Sequence, residues 1–172
     1  YLLSKGYHRI AIAISDLDWY TGPRLYRGYM ESMVEKGLTP DKKLVWIGTE
    51  RRLPGSDPQR IDEKTARQII NDLVVEQNAD AIITGEDLWA AQLLNILHDD
   101  GYNVPKDVGI VGTGNREIFE YTRPKLTTAN LGYRQVARKA IDMLIDMIES
   151  NEEDSKPEKV FIPPMIFPRG SA

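Results

Sequence analysis

Apolar residues along this chain alternate between short runs and stripes at helical spacing. Arg9-Ile10-Ala11-Ile12-Ala13-Ile14 is the first run, and it predicts a strand that is apolar on both faces. Arg24 to Lys36 carries Leu25, Tyr29, Met33 and Val34 at helical spacing, with Gly37 placed to end the helix. Leu44 to Ile47 predicts a second strand. Asp57-Pro58 offers an N-cap and a favourable first position for a helix to about Gln77, with Ile61, Ala66, Ile69, Ile70, Leu73 and Val74 inward. Ala79 to Thr84 is a third strand, Asp87 to Asp100 a helix closed by Gly101, and Val108 to Gly112 a fourth strand. Strands apolar on both faces, alternating with helices, predict the α/β class: a parallel sheet flanked by helices on both faces.

The pattern changes from Leu126. Leu126 to Asn130 suits one more extended segment, and Leu131 to Ser150 is the strongest helix in the chain. Val136, Ala140, Leu144 and Ile148 form one stripe, Ala137, Ile141 and Ile145 the next, and Met143 and Met147 widen the face. That breadth predicts burial, either across the sheet or with an added subunit contact. Asn151 to Glu158 reads as a charged, solvated linker. Val160 to Phe167 closes the chain as one or two strands, with Pro163-Pro164 expected at a sheet edge or a crossover.

Charge and composition narrow the function classes. With 22 basic and 26 acidic side chains the net charge is -4, so this stretch carries no electrostatic footprint for nucleic acid. No apolar run approaches the ~20 residues of a membrane span, and no signal peptide is recognisable, so no membrane partner is expected. The chain has no cysteine, which excludes disulfides and thiolate chemistry and suits the cytosol. His8 and His98 lie far apart without metal-ligand spacing, and neither a metal nor another cofactor is expected. Gly112-Thr113-Gly114 begins like a dinucleotide fingerprint, but Glu117 stands where the third glycine belongs. Phosphate-loop and nucleophile-elbow motifs are lacking, which disfavours an enzyme. Among the acidic pairs only Glu86-Asp87 falls at a strand end, where an open α/β sheet forms its ligand crevice.

The stretch Gly101-Tyr-Asn-Val-Pro-Lys-Asp-Val-Gly-Ile-Val-Gly112, followed by Pro124-Lys-Leu-Thr-Thr128, matches the order "G-x-x-V-P-x-D-V-x-I-V-G" and "P-x-L-T-T". Leu2 to Ala11 follows "L-x-x-x-G-H-x-x-I-A" with Tyr7-His8 in place of "H-x", Arg27-Gly28-Tyr29 fits "x-G-Y", and Leu131-Gly132 and Ile162 to Arg169 fit a closing helix and final strand. In these features the chain resembles the effector-binding domain of LacI/GalR-type bacterial transcription regulators, whose fold is shared with periplasmic sugar-binding proteins. The resemblance implies a periplasmic-binding-protein-like type I lobe, mainly the C-terminal one. Residues 1–126 would form that lobe, 127–159 would cross to an N-terminal lobe, and 160–172 would return as the final strand. Tyr1-Leu2-Leu3-Ser4-Lys5-Gly6 reads as the tail of a helix, so a piece of a longer protein is expected. The resemblance further implies a cytoplasmic homodimer, a small-molecule effector held between lobes, and operator DNA contacted only through a helix-turn-helix headpiece outside this stretch. A solute-binding protein of a transport system, with the same fold, is the first alternative. A small enzyme using the Gly112 to Gly114 turn is the second.

By resemblance the effector-binding positions are Asp18, Trp19, Thr21, Arg24, Glu50, Glu86, Asp87, Asn115 and Arg116. Several depart from the family pattern. Leu25 stands where an arginine is usual, with Arg24 beside it. Glu50 takes the place of an aromatic platform, Glu86 replaces an asparagine, and Gly114 replaces an acidic residue next to Asn115. These changes remove groups that grip a sugar and point away from an ordinary sugar effector. Together with Asp16, Tyr20 and Trp89, the acidic and aromatic set suits a cationic or polyhydroxylated ligand; the alternative is that Trp19 and Trp89 pack in the core or rim and Glu50 and Glu86 point to water.

Overall fold

The computed structural model describes residues 1–15, 17, 21–48, 61–150 and 159–172. Its strands are β1 (Ile10–Ile14), β2 (Val45–Ile47), β3 (Ala81–Thr84), β4 (Gly109–Thr113), β5 (Thr127–Asn130) and β6 (Met165–Phe167). Its α-helices are α1 (Thr21–Glu35), α2 (Glu63–Ile70), α3 (Asp87–Asp99) and α4 (Tyr133–Ser150). The strands form one sheet in the order β2-β1-β3-β4-β5-β6. All neighbours pair in parallel except β6, which runs antiparallel to β5 at the edge. Pro163 and Pro164 therefore precede an edge strand, where the lost amide donors cost the sheet little.

Strand alternation distributes the core to two faces. Ala11, Ala13, Ile82 and Ile110 pack with Trp46 and with the buried faces of α2 and α3. Ile12 and Ile14 turn the other way and pack against Tyr29 of α1, while Ile10 and Val111 cluster with Leu2. The Tyr29 hydroxyl is buried and donates to the Ile10 carbonyl at 2.9 Å. Burial pushes its pKa up to about 12. The helices thus cover both faces, as the apolar strands predict.

Local chemistry explains where the elements differ from their expected bounds. Within the described residues α2 is capped by Asp62, whose carboxylate accepts from the Thr65 amide at 2.7 Å. Asp57-Pro58, the expected cap, lies outside the described residues. The helix continues past Ile70 as one π-helical turn, Asn71–Val75, and the six expected inward residues from Ile61 to Val74 are all buried. On α1, Val34 is a correction: it is 63% exposed, because the buried stripe runs through Tyr29 with Leu25 and Met33 half-buried. Gly37 and Gly101 take left-handed φ values of 73° and 82°, as the chain turns that end α1 and α3 require.

The larger correction concerns α4. Its apolar face does not lie across the sheet: none of its residues through Glu149 is buried, and Ile141, Leu144 and Ile148 are 58%, 56% and 67% exposed. Only Lys139 and Met143 are half-buried, on the side turned to Lys159–Ile162. The sheet faces are already occupied by α1, α2 and α3, so among the described residues α4 faces only the short segment Lys159–Ile162.

Candidate functional site

The chain leaves β1 to one side, forming β2, and then returns to the other side, forming β3. Such a reversal leaves a crevice at the carboxyl ends of the strands. A cleft of about 640 Å³ opens there. α1 contributes Thr21, Arg24 and Leu25, the turn after β3 contributes Gly85 and Glu86, and β4 with its turn contributes Thr113, Gly114 and Arg116. Leu131 and Tyr133, between β5 and the first turn of α4, complete the described rim.

Four of the nine expected site residues therefore meet at one cleft: Thr21, Arg24, Glu86 and Arg116. Asp18, Trp19 and Glu50 lie outside the described residues, as do Asp16 and Tyr20. Asp87 and Asn115 are close to the cleft and occupied otherwise. The Asp87 side chain is buried beneath the rim, where one carboxylate oxygen accepts from the Thr128 hydroxyl and the other from the Arg116 amide at 2.9 Å. Gly112 and Gly114 pack under that carboxylate, and a Cβ at Gly112 would collide with it. These glycines thus make room for a carboxylate inside the protein, as well as turning the chain. Asn115 sits at a left-handed φ of 54°, with its side-chain oxygen accepting from Arg169 at 2.8 Å.

Trp89 is not a rim residue. It is 1% exposed and packs edge-to-face on Trp46, ring centroids 5.8 Å apart, in the core between α3 and the sheet. Helical phase decides this, since Trp89 falls on the same side of α3 as Leu93 and Ile96, which are also buried. Tyr133 is the aromatic rim residue that sequence reasoning missed. The signal was its place directly after Gly132, whose φ of 69° turns the chain out of β5 into α4.

Electrostatically, the described lining sets Arg24 and Arg116 against the single carboxylate of Glu86. Burial raises the Glu86 pKa above the ordinary carboxylate range, Arg116 opposes this by attraction, and Asp87 adds to it by repulsion. The acidic character expected of the crevice is not a property of this part of it. Among the described residues no group of three or more His, Asp or Glu is arranged to hold a metal ion. The cleft offers charged donors, one tunable carboxyl, hydroxyls and a ring face, a set suited to reversible binding of a small polar molecule.

Residues 1–172 match the family description "periplasmic binding protein-like domain". The chain belongs to that family. Curated relatives of this periplasmic binding protein-like domain include transcription repressors. The HTH-type transcriptional repressor PurR of Vibrio atlanticus is 27% identical over 156 residues, covering 91% of this chain and 44% of the relative. The ribose operon repressor of Escherichia coli is 27% identical over 172 residues, covering 100% of this chain and 48% of the relative. The chain thus spans under half the length of these relatives. Among solved structures, a transcriptional regulator CelR–cellobiose complex superposes with a TM-score of 0.78 at 23% identity, over 99% of this chain and 49% of the other. A regulatory protein of the LacI family from Chloroflexus aggregans superposes with a TM-score of 0.79 at 24% identity, over 99% and 57%. The fold and the resemblance to LacI/GalR-type regulators stand together on these findings. No helix among the described residues is long and apolar enough to cross a membrane.

Proposed function

We propose that this domain is the effector-binding and dimerisation part of a LacI/GalR-like transcription regulator. It senses a small molecule in the cleft at the carboxyl ends of β1, β3, β4 and β5. The convergence of Thr21, Arg24, Glu86 and Arg116 at that cleft carries the reading. The curated relatives support regulation over transport, since those named are repressors. In this reading the protein is a cytoplasmic homodimer and not an enzyme, and DNA is contacted through a helix-turn-helix headpiece outside this stretch.

The exposed face of α4 supports the proposed division of the chain. Residues 1–126 would be the C-terminal lobe, 127–159 would cross to an N-terminal lobe, and 160–172 would return. Because β5 still pairs with β4, the excursion proper begins after Asn130, and α4 would bury its apolar face in the second lobe. An effector bridging the lobes would favour one relative orientation and thereby shift the headpieces, by as much as its affinity differs between the two states.

Thermal unfolding of the full-length protein against sugars, nucleobases, amino acids and polyamines tests this. A ligand present at 100 times its Kd adds about 2.7 kcal/mol of stability. The expected outcome is a concentration-dependent rise in midpoint with one compound class, abolished by Arg116→Ala, together with altered affinity for operator DNA. A ligand that stabilises the protein while leaving DNA affinity unchanged, or no ligand of any class, would overturn it.

A further inference from the structure

Arg169, beyond the last strand, is more deeply engaged than its place near the chain end suggests. Its side chain is 12% exposed. The guanidinium donates to the Leu126 carbonyl at 2.8 Å, to the Asn115 side-chain oxygen at 2.8 Å and to the Glu120 carboxylate at 3.0 Å. Its backbone amide donates to the Thr127 hydroxyl at 3.0 Å, and its charge lies 5.8 Å from the centroid of the Phe167 ring. One side chain thus ties the closing segment to the start of β5 and to the arm between β4 and β5.

That arm needs tying. Asn115 holds a left-handed φ of 54°, a region that asparagine enters more readily than most side-chain-bearing residues but that its surroundings must still hold. Two contacts do so: the Asn115 amide donates to the Thr128 hydroxyl at 3.2 Å, and its side chain accepts from Arg169. The left-handed turn brings the next amide, that of Arg116, onto Asp87 and sets the Arg116 side chain on the cleft rim. We propose that Arg169 is a positioning residue for the effector cleft, acting through Asn115 to hold the Arg116 rim in place. The inference rests on reading this cleft as the effector site. It also makes the returning segment, which carries Arg169, a mechanical neighbour of the ligand.

Amide hydrogen exchange on the full-length protein without ligand provides the test, so an unsuccessful effector screen does not affect its outcome. Loss of a charge-assisted hydrogen bond predicts that Arg169→Gln speeds exchange of the Arg116 and Phe119 amides roughly tenfold or more. Amides of β3 should keep their rates. Arg169→Lys, which retains the charge and reaches fewer acceptors, should fall between, and it decides the matter if the glutamine variant does not fold. Adding Arg169→Gln to Asn115→Gly should speed Arg116 exchange little beyond the Asn115→Gly rate. Unchanged Arg116 exchange, or an equal rise across β3 and the arm, would overturn the proposal.

Discussion

Helices α3 and α4 are both rich in apolar residues, yet they have opposite fates. In α3 eight of the residues from Asp87 to Leu97 are buried, including Trp89, Leu93 and Leu97, because the helix packs against both the sheet and α2. In α4 the apolar stripes stand in solvent. An apolar stripe states that a helix requires a partner surface. Where that surface comes from is a property of the topology. The parallel sheet fills both its faces with α1, α2 and α3, and α4 departs from β5 after those places are taken.

The contrast predicts very different responses to truncation. Trp89→Ala removes the largest fully buried side chain of α3, and large-to-small changes of this kind cost about 3–5 kcal/mol. Ile145→Ala, on the 46% exposed α4 position, should change the stability of this 172-residue chain by no more than about 0.5 kcal/mol. Denaturant unfolding of both variants measures the difference. In the full-length protein Ile145→Ala should become clearly destabilising, if a second lobe covers the helix. Equal effects in the short and long chains would break the comparison.

How far the sequence spoke follows from the same physics. Strand runs such as Ile10 to Ile14 and helix faces such as Ile61 to Val74 were legible because burial on both faces of a parallel sheet leaves an uninterrupted apolar run, and burial of one helix face leaves a helical period. Val34 was misread because helical spacing defines a stripe without fixing its width. Site residues were legible where they follow a strand end directly, as Glu86 does. They were not where direction matters: Asp87 and Trp89 lie within three residues of Glu86, but one braces the rim from below and the other enters the core. The Asn115 to Arg169 contact joins distant segments and left no periodic signal.

The start of α3 sets two neighbouring carboxyl groups in different surroundings. Asp87 is satisfied from two sides, by the Thr128 hydroxyl and the Arg116 amide, and Asn can replace only one of its two acceptor oxygens. Asp87→Asn should cost about 1.5–3 kcal/mol, the range for hydrogen bonds to a charged group. Chemical denaturation would measure the loss, and weakened ligand response should accompany it because the Arg116 rim is released. A neutral Asp87→Asn would show that the buried carboxylate does not brace the cleft.

Glu86, one residue away, should behave in the reverse sense and more weakly. It is half-buried, and its pKa is raised chiefly by that burial, with attraction to Arg116 partly offsetting it. A carboxyl whose folded pKa lies above its unfolded value favours folding most while protonated, and that contribution is lost as pH rises through the folded pKa. Glu86→Gln stays neutral at every pH. The variant should therefore match the parent below the ordinary carboxylate range and become the more stable of the two as pH rises through the raised pKa, with a constant gap above it. Melting temperatures of both proteins across that acidic window test the sign. A gap that opens with the parent more stable would mean that attraction to Arg116 outweighs burial, and that Glu86 belongs with Asp87 in the frame of the cleft instead of in its lining.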